Sequence, residues 1–513
     1  MGARSPDLPI GRLLMADVPG TSVTPYLRDL IASHSLGGVT LFAKNVETAA
    51  QVAALSRGLQ AVAAEAGVPP LLIAIDQEGG SVERLPLGLP GAMALGATRS
   101  LAYAERAGTL TGRALQAAGV NVNFAPVLDV NTNPANPVIG VRSFGDDPAL
   151  VAALGAAYVR GLQTEGVMAT AKHFPGHGDT AVDSHLDLPI VPHARERLEA
   201  VEFRPFREVS GEVAALMTAH VAVAPMGMTP ATLSPALLEG IVRREWGFEG
   251  IIFTDSLAMA AVAEHLGSAR AGVLALLAGA DVLLALGGEE VLAEVFGAVR
   301  QAVADGILSA ARLERSFHRL ERFRERMARA AAGQRAGGEA GEGEARQFGA
   351  EVAAAAVTLV RNENGLVPLK DSPVRVVTLA PAGETGPTLG RMLSGRRPDV
   401  DEIRLDPREG AFQGNSGIPT VVVTHSRGTP DPRQVDLVRA AHRLVGDRLI
   451  VVATGTPYDL AAFPEVSCYV ATYGREPVML EAAARLLAGE ISPHGLLPVA
   501  IPTCHPAGWG VVW

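Results

Sequence analysis

The sequence predicts an α/β protein of two domains: an N-terminal (β/α)8 TIM-type barrel and a C-terminal α/β sandwich domain with a mostly parallel sheet. Three observations carry this. The 513 residues exceed the size at which a single core stops growing. Short apolar runs alternate with longer helical segments through the first 290 residues. After a Gly- and Glu-rich break a second, shorter series of the same kind begins.

Eight runs make up the first series: 12–18, 38–43, 71–76, 122–129, 167–174, 214–220, 250–255 and 281–286. Each is followed by turn residues and then an Ala/Leu/Glu/Arg-rich stretch of helical spacing. Near-continuous apolar strands separated by helices imply a parallel sheet buried on both faces, and eight such units favour closure into a barrel over an open doubly wound sheet. Residues 309–332 read as helix. The stretch AAGQRAGGEAGEGEAR (331–346) is the best linker, so the expected division is a barrel over 1–330, a linker over 331–350 and a second domain over 351–513. Within the latter, runs at 357–362, 374–380, 419–425, 448–455 and 467–474 again alternate with helical segments.

Polar residues at the ends of the runs place the chemistry. Asp76, Asp129, Lys172 with His173, His220 and Asp255 each fall at or just past a predicted strand end. In a barrel those ends share one face and one pocket. An acidic residue after a strand is often only a helix cap, but that explains five coincident positions poorly.

The segment KHFPGHGDTAVDSH (172–185) gathers Lys172, His173, His177, Asp179, Asp183 and His185 on one loop. A metal site is one reading, yet the spacing matches no motif in which ligands share a helix face. Acid/base chemistry is the better one. In extended chain, residues i and i+2 point the same way, so the Asp183 carboxylate can accept from the His185 imidazole, fix its tautomer and raise its pKa. His185 then becomes a proton donor near neutral pH, and Asp255 across the mouth becomes a candidate nucleophile.

Composition excludes other classes. A formal charge of −10 with 48% hydrophobic and 19% charged residues gives no nucleic-acid footprint. No apolar stretch reaches membrane-span length, and the start carries no apolar run of signal-peptide length. Two cysteines, Cys468 and Cys504, could form at most one bridge and fit a reducing compartment. The expectation is a cytoplasmic protein acting on a small molecule, with no metal or cofactor, no nucleic-acid or membrane partner, and monomer or homodimer left open.

The blocks IDQEGG (75–80), NPVIGVRSFGDDP (136–148), KHFPGHGDTAVDSH (172–185), MTAHV (217–221), PATLS (230–234) and FTDSLAM (253–259) resemble the signatures of glycoside hydrolase family 3, in its β-N-acetylhexosaminidase branch. VTLVRNENGLVPL (357–369), YDLAAFP (458–464), YGREP (473–477) and GLLPVAIP (495–502) resemble that family's second domain. The resemblance implies a retaining double displacement on terminal β-linked N-acetylglucosamine (GlcNAc), in GlcNAc glycosides, muropeptides or chitin oligosaccharides. It makes Asp255 the nucleophile, His185 paired with Asp183 the acid/base, and Asp76, Arg84, Arg142, Lys172 and His173 the grip on the sugar hydroxyls. Gly176 and Gly178 would let the loop close over bound sugar. One departure is Ser81, where many relatives carry arginine after IDQEGG. Glu78 and Asp129 read as braces and His220 as either brace or lining. Two rivals stand beside the hydrolase: a phosphorylase that uses inorganic phosphate in place of water, and a silent carbohydrate-binding protein.

Overall fold

The computed structural model describes residues 8–184, 186–333, 342–370, 373–379, 386–405 and 417–513. Eight strands form a closed barrel: β1 (Leu14–Asp17), β2 (Gly38–Leu41), β3 (Leu72–Ile75), β4 (Val122–Asn123), β5 (Met168–Phe174), β6 (Ala215–Thr218), β7 (Ile251–Ser256) and β8 (Val282–Leu284). Every pairing is parallel, and β8 closes on β1 with Leu14 opposite Leu283. Strands β2, β3, β5 and β6 are buried along their whole length, which is why their sequences run apolar without alternation. Inside the barrel, Phe124 and Phe253 meet edge to face at 5.5 Å.

Helices on the outside start where their caps dictate. Thr24, Thr48, Ser100 and Asp147 each accept a backbone N–H of the first turn, and Pro25 and Pro148 occupy first-turn positions where no donor is lost. Helices Leu101–Ala117 and Pro148–Thr164 pack backbone to backbone through glycine, since a Cβ on Gly161 would lie 1.9 Å from the Glu105 carbonyl oxygen.

The run at 122–129 gives only a two-residue strand. Pro126 has no N–H to donate, so regular pairing stops, although Thr170 N still donates to Ala125 O at 3.0 Å and Lys172 N to Pro126 O at 3.1 Å. The chain there follows β5 as a loop, and this turns Asp129 beneath the segment that follows Phe174.

The second domain is a six-stranded sheet: β9 (Thr358–Asn362), β10 (Val374–Leu379), β11 (Val400–Leu405), β12 (Thr420–Thr424), β13 (Leu449–Ala453) and β14 (Cys468–Ala471), in the order β9-β14-β13-β12-β10-β11. All pairs are parallel except β9 on β14. Strand β11 is not among those expected, because an edge strand with exposed and half-buried positions reads VDEIRL rather than apolar. In the stretch expected as a linker, residues 334–341 lie outside the described residues. On the far side Glu342–Ala356 is a helix, as the alanine-rich sequence EGEARQFGAEVAAAA favours. That helix joins the two cores: Phe348 and Val352 belong to the barrel's, Ala353 and Ala356 to the sheet's. The contact between domains is also polar, with Asn131 Nδ2 donating to Tyr458 Oη at 2.7 Å and Ala500 N to Asp146 Oδ2 at 2.7 Å.

Candidate active site

At the C-terminal ends of the barrel strands lies a cavity of about 690 Å³. Asp76, Arg84, Arg142, Lys172, His173 and Asp255 all line it, and so does Ser184. The structure therefore brings together six of the eight residues singled out from sequence. Asp183 is half-buried and stands outside the cavity wall. His185 lies outside the described residues.

One wall is an ion cluster. Lys172, at the end of β5, is 2% exposed, and its Nζ lies 2.6 Å from Asp76 Oδ1 and 2.7 Å from Glu78 Oε1. Glu78 also accepts both arms of Arg142, from Nε at 2.9 Å and Nη2 at 2.8 Å. Burial favours the neutral acid at Glu78, but the adjacent Arg142 and Lys172 outweigh it and hold the carboxyl well below the usual range. Lys172 shows the converse: burial disfavours its charge, yet Asp76 and Glu78 raise its pKa above the ordinary value. A pair of fixed cations and a solvent-facing carboxylate result. Arg84 adds a guanidinium whose Nε is buried with no hydrogen-bond partner among the described residues, while its own N–H is pinned by Gln77 Oε1 at 2.8 Å.

A second layer carries His173 and the loop beyond it. Asp129 is fully buried and accepts His173 Nδ1 at 2.7 Å, His173 N at 3.3 Å and His177 N at 2.7 Å. With Nδ1 committed to the carboxylate, the His173 ring presents Nε2 to the cavity. Thr180 Oγ1 donates to His177 O at 2.9 Å, so it accepts from His177 Nδ1 at 2.6 Å. His177 Nε2 then takes the Ser184 hydroxyl at 3.0 Å. Burial holds His177 neutral by pushing its pKa down to about 4. Asn136 clamps the same turn from beneath through His177 O at 2.8 Å and Thr180 O at 3.0 Å. Gly178 sits so close to the wall that a Cβ would lie 1.9 Å from Val130 O. This corrects the hinge reading of that glycine: it is needed for close approach, and residues 173–180 are anchored.

Opposite stands Asp255, at the end of β7. Its Oδ1 accepts Ser256 N at 2.7 Å. Burial pushes its pKa up, but the charges of His220 and His173, the Ser256 N–H and Lys172 together bring it below the normal carboxylate value. It is an ionised carboxylate aimed at a cavity in which cations sit on the far side. His220 does not line the cavity. Fully buried, it reaches Ser256 O with Nε2 at 2.8 Å and Thr232 Oγ1 with Nδ1 at 2.8 Å, and so fixes the backbone that carries Asp255.

Sequence reasoning missed the apolar walls. Phe42, Val82, Phe124, Val138, Met217 and Leu286 line the cavity, but apolar residues at strand ends look the same whether they face core or ligand. His177 and Ser184 were visible in the 172–185 block without a role, because only the fold sets them three hydrogen bonds deep. Among the described residues, no group of three or more His, Cys, Asp or Glu side chains could hold a metal ion.

Residues 7–323 match the family described as glycosyl hydrolase family 3 N terminal domain. Beta-hexosaminidase A of Pseudoalteromonas piscicida is 35% identical over 381 residues, 69% of this chain and 64% of that relative, so the match leaves about a third of the relative uncovered. Beta-hexosaminidase of Stenotrophomonas maltophilia is 40% identical over 283 residues, 53% of this chain and 82% of the relative. Among solved structures, a glycoside hydrolase family 3 beta-N-acetylglucosaminidase from Paenibacillus superposes with a TM-score of 0.88 at 38% identity, covering 97% of this chain and 99% of that one. With that family matched over more than half of its length, and an acidic side chain facing a cationic wall at the mouth of the barrel, the chain belongs to glycosyl hydrolase family 3.

Proposed function

We propose that the protein is a retaining exo-β-N-acetylglucosaminidase that removes terminal β-linked GlcNAc by double displacement. The observation that carries this reading is Asp255, half-buried with its pKa held below the normal carboxylate value, across the cavity of about 690 Å³ from Asp76, Lys172, His173, Arg84 and Arg142. Asp255 attacks the anomeric carbon and forms a glycosyl ester as the glycosidic C–O bond breaks. The leaving oxygen takes its proton from His185. Water then attacks the same carbon, gives its proton to the now neutral His185, and releases Asp255. Asp183 orients that imidazole and stabilises its charged form. Most retaining glycosidases instead place two carboxyls about 5 to 5.5 Å apart.

The residue before His185 supports this assignment. Ser184 lines the same cavity as Asp255, and its carbonyl accepts Ala261 N at 3.4 Å from the helix just beyond β7. Asp76, Lys172, Arg84, Arg142 and His173 grip the sugar hydroxyls through charge-assisted hydrogen bonds, which reject a sugar lacking a hydroxyl because a polar group facing the cavity then loses a hydrogen-bond partner. The named activity of the Paenibacillus enzyme agrees with this reading, and muropeptide fragments are its proposed source of GlcNAc.

Asp255→Ala tests it. Release of an aryl leaving group from an aryl β-GlcNAc glycoside should fall at least about a thousandfold with sugar binding retained, whereas unchanged turnover defeats the mechanism. Product analysis on cell-wall fragments and on chitobiose, with and without phosphate, identifies the leaving group and the acceptor. A sugar 1-phosphate product would replace hydrolysis with phosphorolysis.

A further inference from the structure

Tyr458 carries a hydroxyl from the second domain to the edge of the barrel site. Among the described residues none from that domain lines the barrel cavity, so any part it has in the reaction must pass through a barrel residue. Tyr458 stands on the short helix Pro457–Ala462, which follows β13. Its ring belongs to the core of the second domain and is 4% exposed. That helix is fixed from its own side, with Tyr469 Oη donating to Pro457 O at 3.1 Å and Thr456 N to Ser426 O at 2.8 Å. The Tyr458 hydroxyl crosses to the barrel and accepts Asn131 Nδ2 at 2.7 Å. Asn131 is 1% exposed, and its Oδ1 is buried with no hydrogen-bond partner among the described residues. The bond to Tyr458 is therefore what holds this amide, because a buried N–H without an acceptor is costly.

What Asn131 holds in turn is a shelf beneath the cavity. Asp129, just before it, accepts His173 Nδ1 at 2.7 Å and His177 N at 2.7 Å. Just after it, Thr132 Oγ1 donates to Asp179 Oδ1 at 2.9 Å and Asn133 Nδ2 to Thr180 O at 3.2 Å. The N–H of Asn131 itself donates to Gly145 O at 2.9 Å, in the loop that carries Arg142. Residues 129–133 thus tie the turn at 177–180 to that loop. The second domain presses on the same loop: a Cβ on Gly140 would lie 2.7 Å from Arg427 O, and one on Gly428 would lie 2.7 Å from Asn136 O. Irregular chain has no ladder of its own to fix its place, so its neighbours must set it. Tyr458 grips this segment at its centre.

We propose that Tyr458 is a positioning residue for the barrel site: through Asn131 it sets the place of the shelf on which His173 and His177 rest, so the second domain takes part in catalysis without touching the sugar. The kinetic consequence rests on the glycosidase reading given above.

Tyr458→Phe removes the hydroxyl and keeps the ring, and two measurements on the full chain read the result. In amide hydrogen exchange, residues 129–133 and 173–180 should exchange at least about tenfold faster in the variant, while β13 keeps its wild-type protection. In turnover of an aryl β-GlcNAc glycoside, kcat should fall about ten- to a hundredfold with KM within about threefold of wild type, since no group that touches the sugar is lost. Asn131→Ala breaks the same bond from the barrel side. The double variant should lose little more than Asn131→Ala alone, because effects that pass through one bond do not add. Should Tyr458→Phe not fold, exchange at 173–180 and kcat in Asn131→Ala decide the matter. Unchanged exchange at 173–180, faster exchange with unchanged kcat, or additive losses in the double variant overturns the proposal. If the wild-type protein releases no aryl group, the substrate reading fails by itself, and the exchange result, which needs no substrate, decides on Tyr458.

Discussion

Lys172 is a buried cation held between two carboxylates, and its energetic weight follows from what its loss would leave. Lys172→Met strands Asp76 and Glu78 beside each other with only Arg142 for compensation. Breaking such a cluster from one side costs about 3 to 5 kcal/mol, so the variant should unfold at markedly lower denaturant and show a raised KM. A stability within about 1 kcal/mol of wild type would mean that the cluster is solvated. His220 acts at the same scale on Asp255. Its charge helps to depress the Asp255 pKa, and its Nε2 bond fixes Ser256. Removing that charge lets the carboxyl pKa rise, so in His220→Gln the acid limb of the kcat/KM profile should move to higher pH. Loss of positioning should lower kcat about ten- to a hundredfold. A lower rate with an unmoved acid limb would assign His220 a packing role alone.

At the scale of elements, the segment after β5 is part of the barrel wall. Strand β5 carries Lys172 and His173 within its last residues, and Asp129, Asn136 and Val130 hold the turn that follows. Gly178→Ala puts a methyl group against backbone rather than against a side chain that could swing away. The expected cost is about 1 to 3 kcal/mol, read by chemical denaturation, with a loss of activity because Val130 adjoins Asp129. Neutral activity and stability would show that the turn yields freely. The composition of 172–185 announces irregular chain, whereas 122–129 reads as a strand despite its proline. That the two segments hold each other was not legible, since nothing in either sequence names its partner.

Across the whole molecule, the loop after β3 connects site and second domain. Glu83 on this loop accepts Leu87 N at 3.1 Å and Gly88 N at 3.0 Å, and Glu476 of the second domain approaches the same loop at Gly80. Burial, with a smaller contribution from Glu476, pushes the Glu83 pKa up to about 7 in spite of those N–H groups. Because the folded pKa lies above the unfolded one, the folded state binds the extra proton, and stability present in acid is lost as pH rises from about 4.5 to about 7. Glu83→Gln has no such proton to lose. It should match wild type at pH 4 and exceed it at pH 8 by up to about 3 kcal/mol in paired denaturation curves. His177, whose depressed pKa gives the opposite slope, is common to both proteins and cancels. A constant difference across pH would place the Glu83 carboxyl in solvent.

The barrel's strands were legible because a strand buried on both faces must be apolar throughout, and a polar residue at its end breaks that rule visibly. This singled out Asp76, Lys172, His173 and Asp255 without coordinates, and signature blocks added Arg84 and Arg142. Strand β11 escaped because an edge strand is not required to be apolar. The interlocked hydrogen bonds of Asp129, His177, Thr180 and Ser184 and the bracing of Asp255 by His220 arise between segments far apart in the chain. Periodicity records only how each segment meets the core; which segments then meet one another is decided by closure of the barrel and by the order of the second sheet.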